Sequence, residues 1–133
     1  MSSMSDFYTR SKANAGIKID LSLPSGEATA DFIIIRGVDS DEFRATDTRA
    51  RRNLLSIVSM EDDTAREELL RKSHLDIQVS LVIDWSFDDE CTPENIRQLF
   101  VEAPQIADAV DRMAAKRSLF FAKGSSNLEN LPE

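Results

Sequence analysis

Leu81-Val82-Ile83-Asp84-Trp85-Ser86-Phe87-Asp88-Asp89-Glu90-Cys91-Thr92-Pro93-Glu94-Asn95 is the stretch on which the architecture turns. It runs from an apolar segment holding the only tryptophan, through an acidic break, into the start of a helix. Thr92 suits the N-cap, where its hydroxyl accepts from an otherwise orphaned backbone N–H. Pro93 then takes the first helical position, where a missing N–H costs nothing and φ is already helical. Glu94 places negative charge at the positive end of the helix dipole. The segment just before this corner carries two periods at once. Leu75, Ile77, Val79, Leu81, Ile83 and Trp85 alternate as in a strand, whereas Leu70, His74, Ile77, Leu81 and Trp85 fall at helical spacing. No turn residue interrupts the run from Thr64, and that continuity favours one long, well-buried helix ending near Trp85.

Working outward from the corner, Ile96, Leu99, Phe100 and Ala103 form a clean apolar stripe on the helix after Thr92. Pro104 ends that helix, because the residue before proline is pushed out of the helical region, and it can open a final one. Ile106, Val110, Met113 and Phe120 mark the final helix, with Lys116, Arg117 and Lys123 near its negative end and Gly124 as its stop. Residues 125–133 are polar and read as a flexible tail.

Upstream, Thr64 and Glu67 have capping-box spacing, as do Asp39 and Glu42, while Val38 and Phe43 are spaced as a hydrophobic staple. The second of these signals opens a helix reaching about Val58. It offers Phe43, Leu54, Leu55 and Val58 on an apolar side and Arg44, Arg49, Arg51 and Arg52 as a basic patch. The plainer reading of the patch is a solvated face; the sharper one is a docking face for an acidic partner or a neighbouring subunit. Still earlier, Ile17-Lys18-Ile19-Asp20-Leu21-Ser22-Leu23 and Ala30-Asp31-Phe32-Ile33-Ile34-Ile35-Arg36 flank Pro24-Ser25-Gly26 and read as a β-hairpin. A short helix over residues 6–15, stopped by Gly16, precedes it. The expected fold is therefore α+β and mainly helical, an N-terminal β-hairpin followed by about four helices. It forms a single domain over residues 1–124.

A formal charge of −8 on 133 residues argues against broad binding of phosphate backbones, which needs a basic face. One cysteine permits no internal disulfide, and the N-terminus lacks the basic start and apolar run of a secretory signal, so the cytoplasm is the expected compartment. No stretch is apolar for long enough to span a bilayer. Catalysis finds little to work with. His74 is the only histidine and reads as a core or boundary residue, and no glycine-rich phosphate loop is present. Acidic neighbours raise the pKa of Cys91 and suppress its thiolate. Asp84, Asp88, Asp89, Glu90 and Glu94 could hold a hard cation through oxygen ligands, but their spacing matches no calcium loop. Capping and solvation explain them more simply, so neither metal nor cofactor is expected. Trp85, Thr92, Pro93 and Pro104 read as a structural junction. Phe120 and Phe121 point in different directions on a helix, so one could anchor a partner, although burial is the plainer reading.

The chain also resembles a known family. Phe7-Tyr8-Thr9-Arg10-Ser11-Lys12-Ala13-Asn14, Leu23-Pro24-Ser25-Gly26 and Ile35-Arg36-Gly37-Val38-Asp39-Ser40 look like segments of the tail assembly chaperones of long-tailed bacteriophages. Asp84-Trp85-Ser86-Phe87, Thr92-Pro93-Glu94-Asn95, Ala103-Pro104-Gln105-Ile106 and Arg117-Ser118-Leu119-Phe120-Phe121 continue the resemblance over nearly the whole chain. These motifs are structural punctuation and carry no catalytic signature. The resemblance implies a non-enzymatic protein that binds the tape-measure protein and helps recruit tail-tube subunits, the latter often through a frameshifted extension. It also implies self-association, a place in the host cytoplasm and absence from the mature virion, while the acidic charge and the lack of a long apolar stretch give the expectation of no nucleic-acid or membrane partner. It favours helix for residues 75–85. The alternative is a structural tail component, such as a completion or connector protein, retained in the virion.

Overall fold

In the computed structural model, residues 2–121 are described. The expected tail over residues 125–133 and the stop at Gly124 lie outside them. After a 3-10 helix over Met4–Phe7 come α1 (Arg10–Ala15), β1 (Ile17–Ser22), β2 (Ala28–Ile35), α2 (Asp41–Val58) and α3 (Asp63–Val79). β3 (Val82–Trp85), α4 (Pro93–Glu102), α5 (Pro104–Ala114) and a 3-10 helix over Arg117–Phe120 complete the order. The fold is α+β and mainly helical, with the hairpin near the N-terminus.

The hairpin pairs Ile17 with Ile35 and Ile19 with Ile33. Its loop is closed by Leu23 N–H donating to the Glu27 carbonyl at 2.8 Å. Gly16 is required where α1 meets β1. It sits at φ 84°, and a Cβ there would lie 2.7 Å from the Ile35 carbonyl oxygen. The long helix expected to reach Trp85 is not formed. α3 stops at Val79, and Val82–Trp85 instead joins the sheet beside β2, in the order β1-β2-β3, all antiparallel. The strand edge of β2 explains the outcome. Left as a bare hairpin, it would expose a row of unpaired backbone groups, whereas Arg36 N–H bonds the Leu81 carbonyl at 2.8 Å and Ser86 N–H bonds Phe32 at 3.0 Å. Helical spacing is a local property and carries no sign of that distant partner.

Ile17, Ile33, Ile35, Val82 and Trp85 from the sheet pack with Ile96 and Phe100 of α4 and Ala107, Val110 and Ala114 of α5. Val79, Leu81 and Phe120 close the same cluster. α2 and α3 form a helical hairpin, and of α2 only Ile57 is buried. Two caps differ from expectation. Ser40, not Asp39, caps α2 by accepting from Phe43 N–H, and Asp62, not Thr64, caps α3 by accepting from Ala65 N–H. Asp39 is taken up elsewhere, by Arg117 at 2.6 Å and 3.0 Å. Two helices are also shorter than expected: α1 begins only at Arg10, and α5 ends at Ala114 before the 3-10 helix.

Candidate interaction surface

The corner after β3 is built as a fixed joint. Thr92 Oγ1 accepts from Asn95 N–H at 3.2 Å, Pro93 opens α4, and Asn95 Nδ2 reaches back to the Glu90 carbonyl at 2.8 Å. Trp85 is buried, donates its indole N–H to the Asp89 carbonyl at 2.7 Å, and meets Phe87 edge-on at 5.1 Å. Pro104 opens α5 directly after Ala103 closes α4, so the two helices turn on one residue. All four junction residues thus sit where the chain changes direction. The acids around them serve the backbone in part: Asp84 Oδ1 accepts from Trp85 N–H at 2.9 Å. Among the described residues no group of three or more histidine, cysteine or carboxylate side chains is placed to hold a metal ion. His74 is not a core residue. Its side chain is 69% exposed on α3, with Nε2 4.0 Å from Asp111.

The 3-10 helix ends at Phe120, and Phe121 follows as its C-cap. Phe120 is 2% exposed and its ring lies 3.2 Å from where a Gly37 Cβ would be, so the ring packs closely over that glycine. Only Phe121, at 47% exposure, offers apolar surface to a partner. The arginine patch is at the surface: Arg44, Arg49, Arg51 and Arg52 are all exposed on α2. Arg51 pairs with Asp47 at 2.9 Å and Arg49 donates to Thr46 Oγ1 at 3.1 Å, so part of the patch is answered within its own helix. Exposed pairs of this kind contribute little to stability, about 0–1 kcal/mol. Beside them lie Leu54, Leu55 and Val58, at 45%, 80% and 50% exposure, with Leu69 and Leu70 also exposed on α3. The tip of the α2–α3 hairpin therefore presents apolar and cationic side chains together.

One feature of the surface has no signal in the sequence. A groove of about 780 Å³ runs between α2, α3, β3 and the start of α4, bringing Arg36, Arg49, Lys72 and Arg97 to its walls. Of these only Arg49 belongs to the expected patch, because the others lie far apart along the chain. Cys91 also lines it. Burial, and then the charge of Asp84, push its thiol pKa upward, in the direction its acidic context suggests. No described helix is long and apolar enough to cross a membrane. Compared with known proteins, the chain matches no family model, no curated protein and no solved structure, so these surfaces have to be interpreted from their own chemistry.

Proposed function

We propose that the chain is a non-enzymatic tail assembly chaperone of a long-tailed phage, acting in the host cytoplasm and absent from the mature virion. In this reading it binds the tape-measure protein, self-associates, and helps recruit tail-tube subunits. The sequence punctuation shared with that family supports it. The observation that carries it is the exposed apolar side of the α2–α3 hairpin tip, where Leu55 is 80% exposed and Leu54 and Val58 about half exposed. Grouped exposed apolar side chains mark surfaces that bind other chains, and an amphipathic helix is the partner that such a strip accommodates. The test is co-expression with the tape-measure protein encoded beside it. The wild-type chain should keep that protein soluble and co-purify with it, and Leu55→Glu with Val58→Glu should abolish both without unfolding the chaperone. A strictly monomeric chain by light scattering that also fails to co-purify would end the proposal. Mass spectrometry of purified virions separates it from a structural tail protein, which would be found in the particle.

A further inference from the structure

The charge of the chain as a whole is −8, yet the groove between α2, α3, β3 and α4 runs against it: among the described residues that line it, Arg36, Arg49, Lys72 and Arg97 are set against Glu42 and Asp76. Asp76 is already engaged, accepting from Arg97 Nη2 at 3.0 Å. The Nε of Arg97 is buried with no hydrogen-bond partner among the described residues. Arg36 is half-buried, and its guanidinium donates to the carbonyls of Ser80 and Val82 and, among the described residues, to no carboxylate. Burial lowers its pKa, and Glu42 is near enough only to oppose that in part. Cations taken partly out of water without an ionic partner are costly, and an incoming carboxylate relieves that cost. The shape narrows the ligand. On α2 the wall runs from Glu42 to Ile57, which at 1.5 Å per residue is roughly 22 Å, the length of about four turns of helix. Among the cations the lining mixes apolar side chains, Leu69 and Ile83, with the neutral polar ones of Thr46, Asn53 and Ser73.

We propose that this groove is the docking site for one acidic amphipathic helix of a partner protein. Its apolar face rests on Leu69 and Ile83, which are partly exposed, and its carboxylates meet Arg36, Arg49 and Lys72. The inference rests on the chemistry of the groove and holds whether or not the chain is a phage chaperone.

The probe is a fluorescein-labelled designed peptide of about four helical turns, with leucines at i, i+3, i+4 and i+7 spacing and glutamates on the flanks. Its twin carries lysine in place of every glutamate. Binding to the full chain is followed by anisotropy, and the footprint by amide chemical shifts. The glutamate peptide should bind at least tenfold more tightly than its twin, with shifts centred on Arg36, Ile57, Leu69 and Arg97. The double variant Arg49→Glu, Lys72→Glu changes two exposed side chains and should reverse the preference while its circular dichroism stays that of the wild type. Equal affinity for the two peptides, a preference that survives the double variant, or shifts confined to another face would overturn the proposal. So would a concentration-dependent dimer that the double variant abolishes in a chain that binds neither peptide, since a second copy would then be the occupant.

Discussion

Replacing Trp85 by alanine decides whether the corner after β3 is core or contact. The side chain is 8% exposed on the strand opposite Ile33, packs edge-on to Phe87 with planes at 64°, and donates to the Asp89 carbonyl. Removing a buried aromatic of this size costs about 3–5 kcal/mol in lost transfer energy and residual cavity. A domain of this kind has about 5–15 kcal/mol in all, so the variant should stay folded in cool buffer and unfold early. Unfolding entropy of about 2.1 cal/mol/K per residue amounts to roughly 0.28 kcal/mol/K for this chain, so a loss of about 4 kcal/mol lowers Tm by roughly 15 °C. Trp85→Phe keeps the ring and most of the apolar area but gives up the N–H···O bond, whose net contribution is about 0.5–1.5 kcal/mol. It should fall well short of the alanine variant. Urea titrations must be followed by far-UV circular dichroism, since the substitution removes the only tryptophan and with it the fluorescence probe. If Trp85→Ala lies within about 1 kcal/mol of wild type yet loses a binding partner that the wild-type chain retains, the core assignment is wrong and Trp85 is a contact.

Three further outcomes follow from the geometry. Gly16→Ala puts a Cβ 2.7 Å from a backbone oxygen at φ 84° and should cost more than about 2 kcal/mol, whereas Gly26→Ala, at φ 96° with open space around it, should cost only about 1 kcal/mol; paired urea titrations compare them, and equal costs would refute the close-approach argument. Arg117, through its hydrogen bonds to the carboxylate, holds the pKa of Asp39 below its ordinary value, so the stabilisation is fully present above the unfolded carboxylate value of about 3.9 and is lost as pH falls through the lower folded value. Melting curves should show Asp39→Asn less stable than wild type at pH 7, with the gap closing only in strong acid. Cys91, its thiol pushed up first by burial and then by Asp84, should react with a disulfide reagent more slowly than a free thiol at pH 8, and Asp84→Asn should speed it; an unchanged rate would remove Asp84 as a cause.

The parts of the fold legible in the sequence are those whose causes lie within a few residues. Thr92 and Pro93 cap and open α4 as their local chemistry requires, Pro104 divides α4 from α5, and the alternation from Ile17 to Leu23 becomes β1. The parts that depart from the local pattern depend on a distant partner. Residues 75–85 carry helical and strand periods at once, and for Val82–Trp85 the choice is made by β2, some fifty residues earlier in the chain, which offers hydrogen bonds that a continuing helix could not use. The caps sit one or two residues from their spacing signals for a related reason. Asp39 has the spacing of an N-cap, but Arg117 draws its carboxylate away, and Ser40, next in line, accepts from Phe43 N–H instead.

The candidate surfaces divide along the same line. The arginines of α2 are visible as a patch because a helix gathers residues a few positions apart, and Phe121 is separated from Phe120 by a single step of backbone. The groove has no such trace, since Arg36, Lys72 and Arg97 come from a strand end and two helices and meet only in the folded chain. Net charge actively conceals it. The acids that make the chain −8 include those of helix starts and the corner after β3, such as Asp41, Asp63 and Glu94 in first turns, where the helix dipole favours them and which do not line the groove. An acidic total is therefore compatible with a locally cationic cleft, and a partner rich in carboxylates would be repelled by most of this surface and admitted at one place. Long-range repulsion with local attraction favours selectivity over speed of encounter. Added salt should therefore raise the association rate of the acidic peptide by screening the repulsion, while shortening its residence in the groove. A rate that fell with salt would mean that attraction, not repulsion, governs the approach.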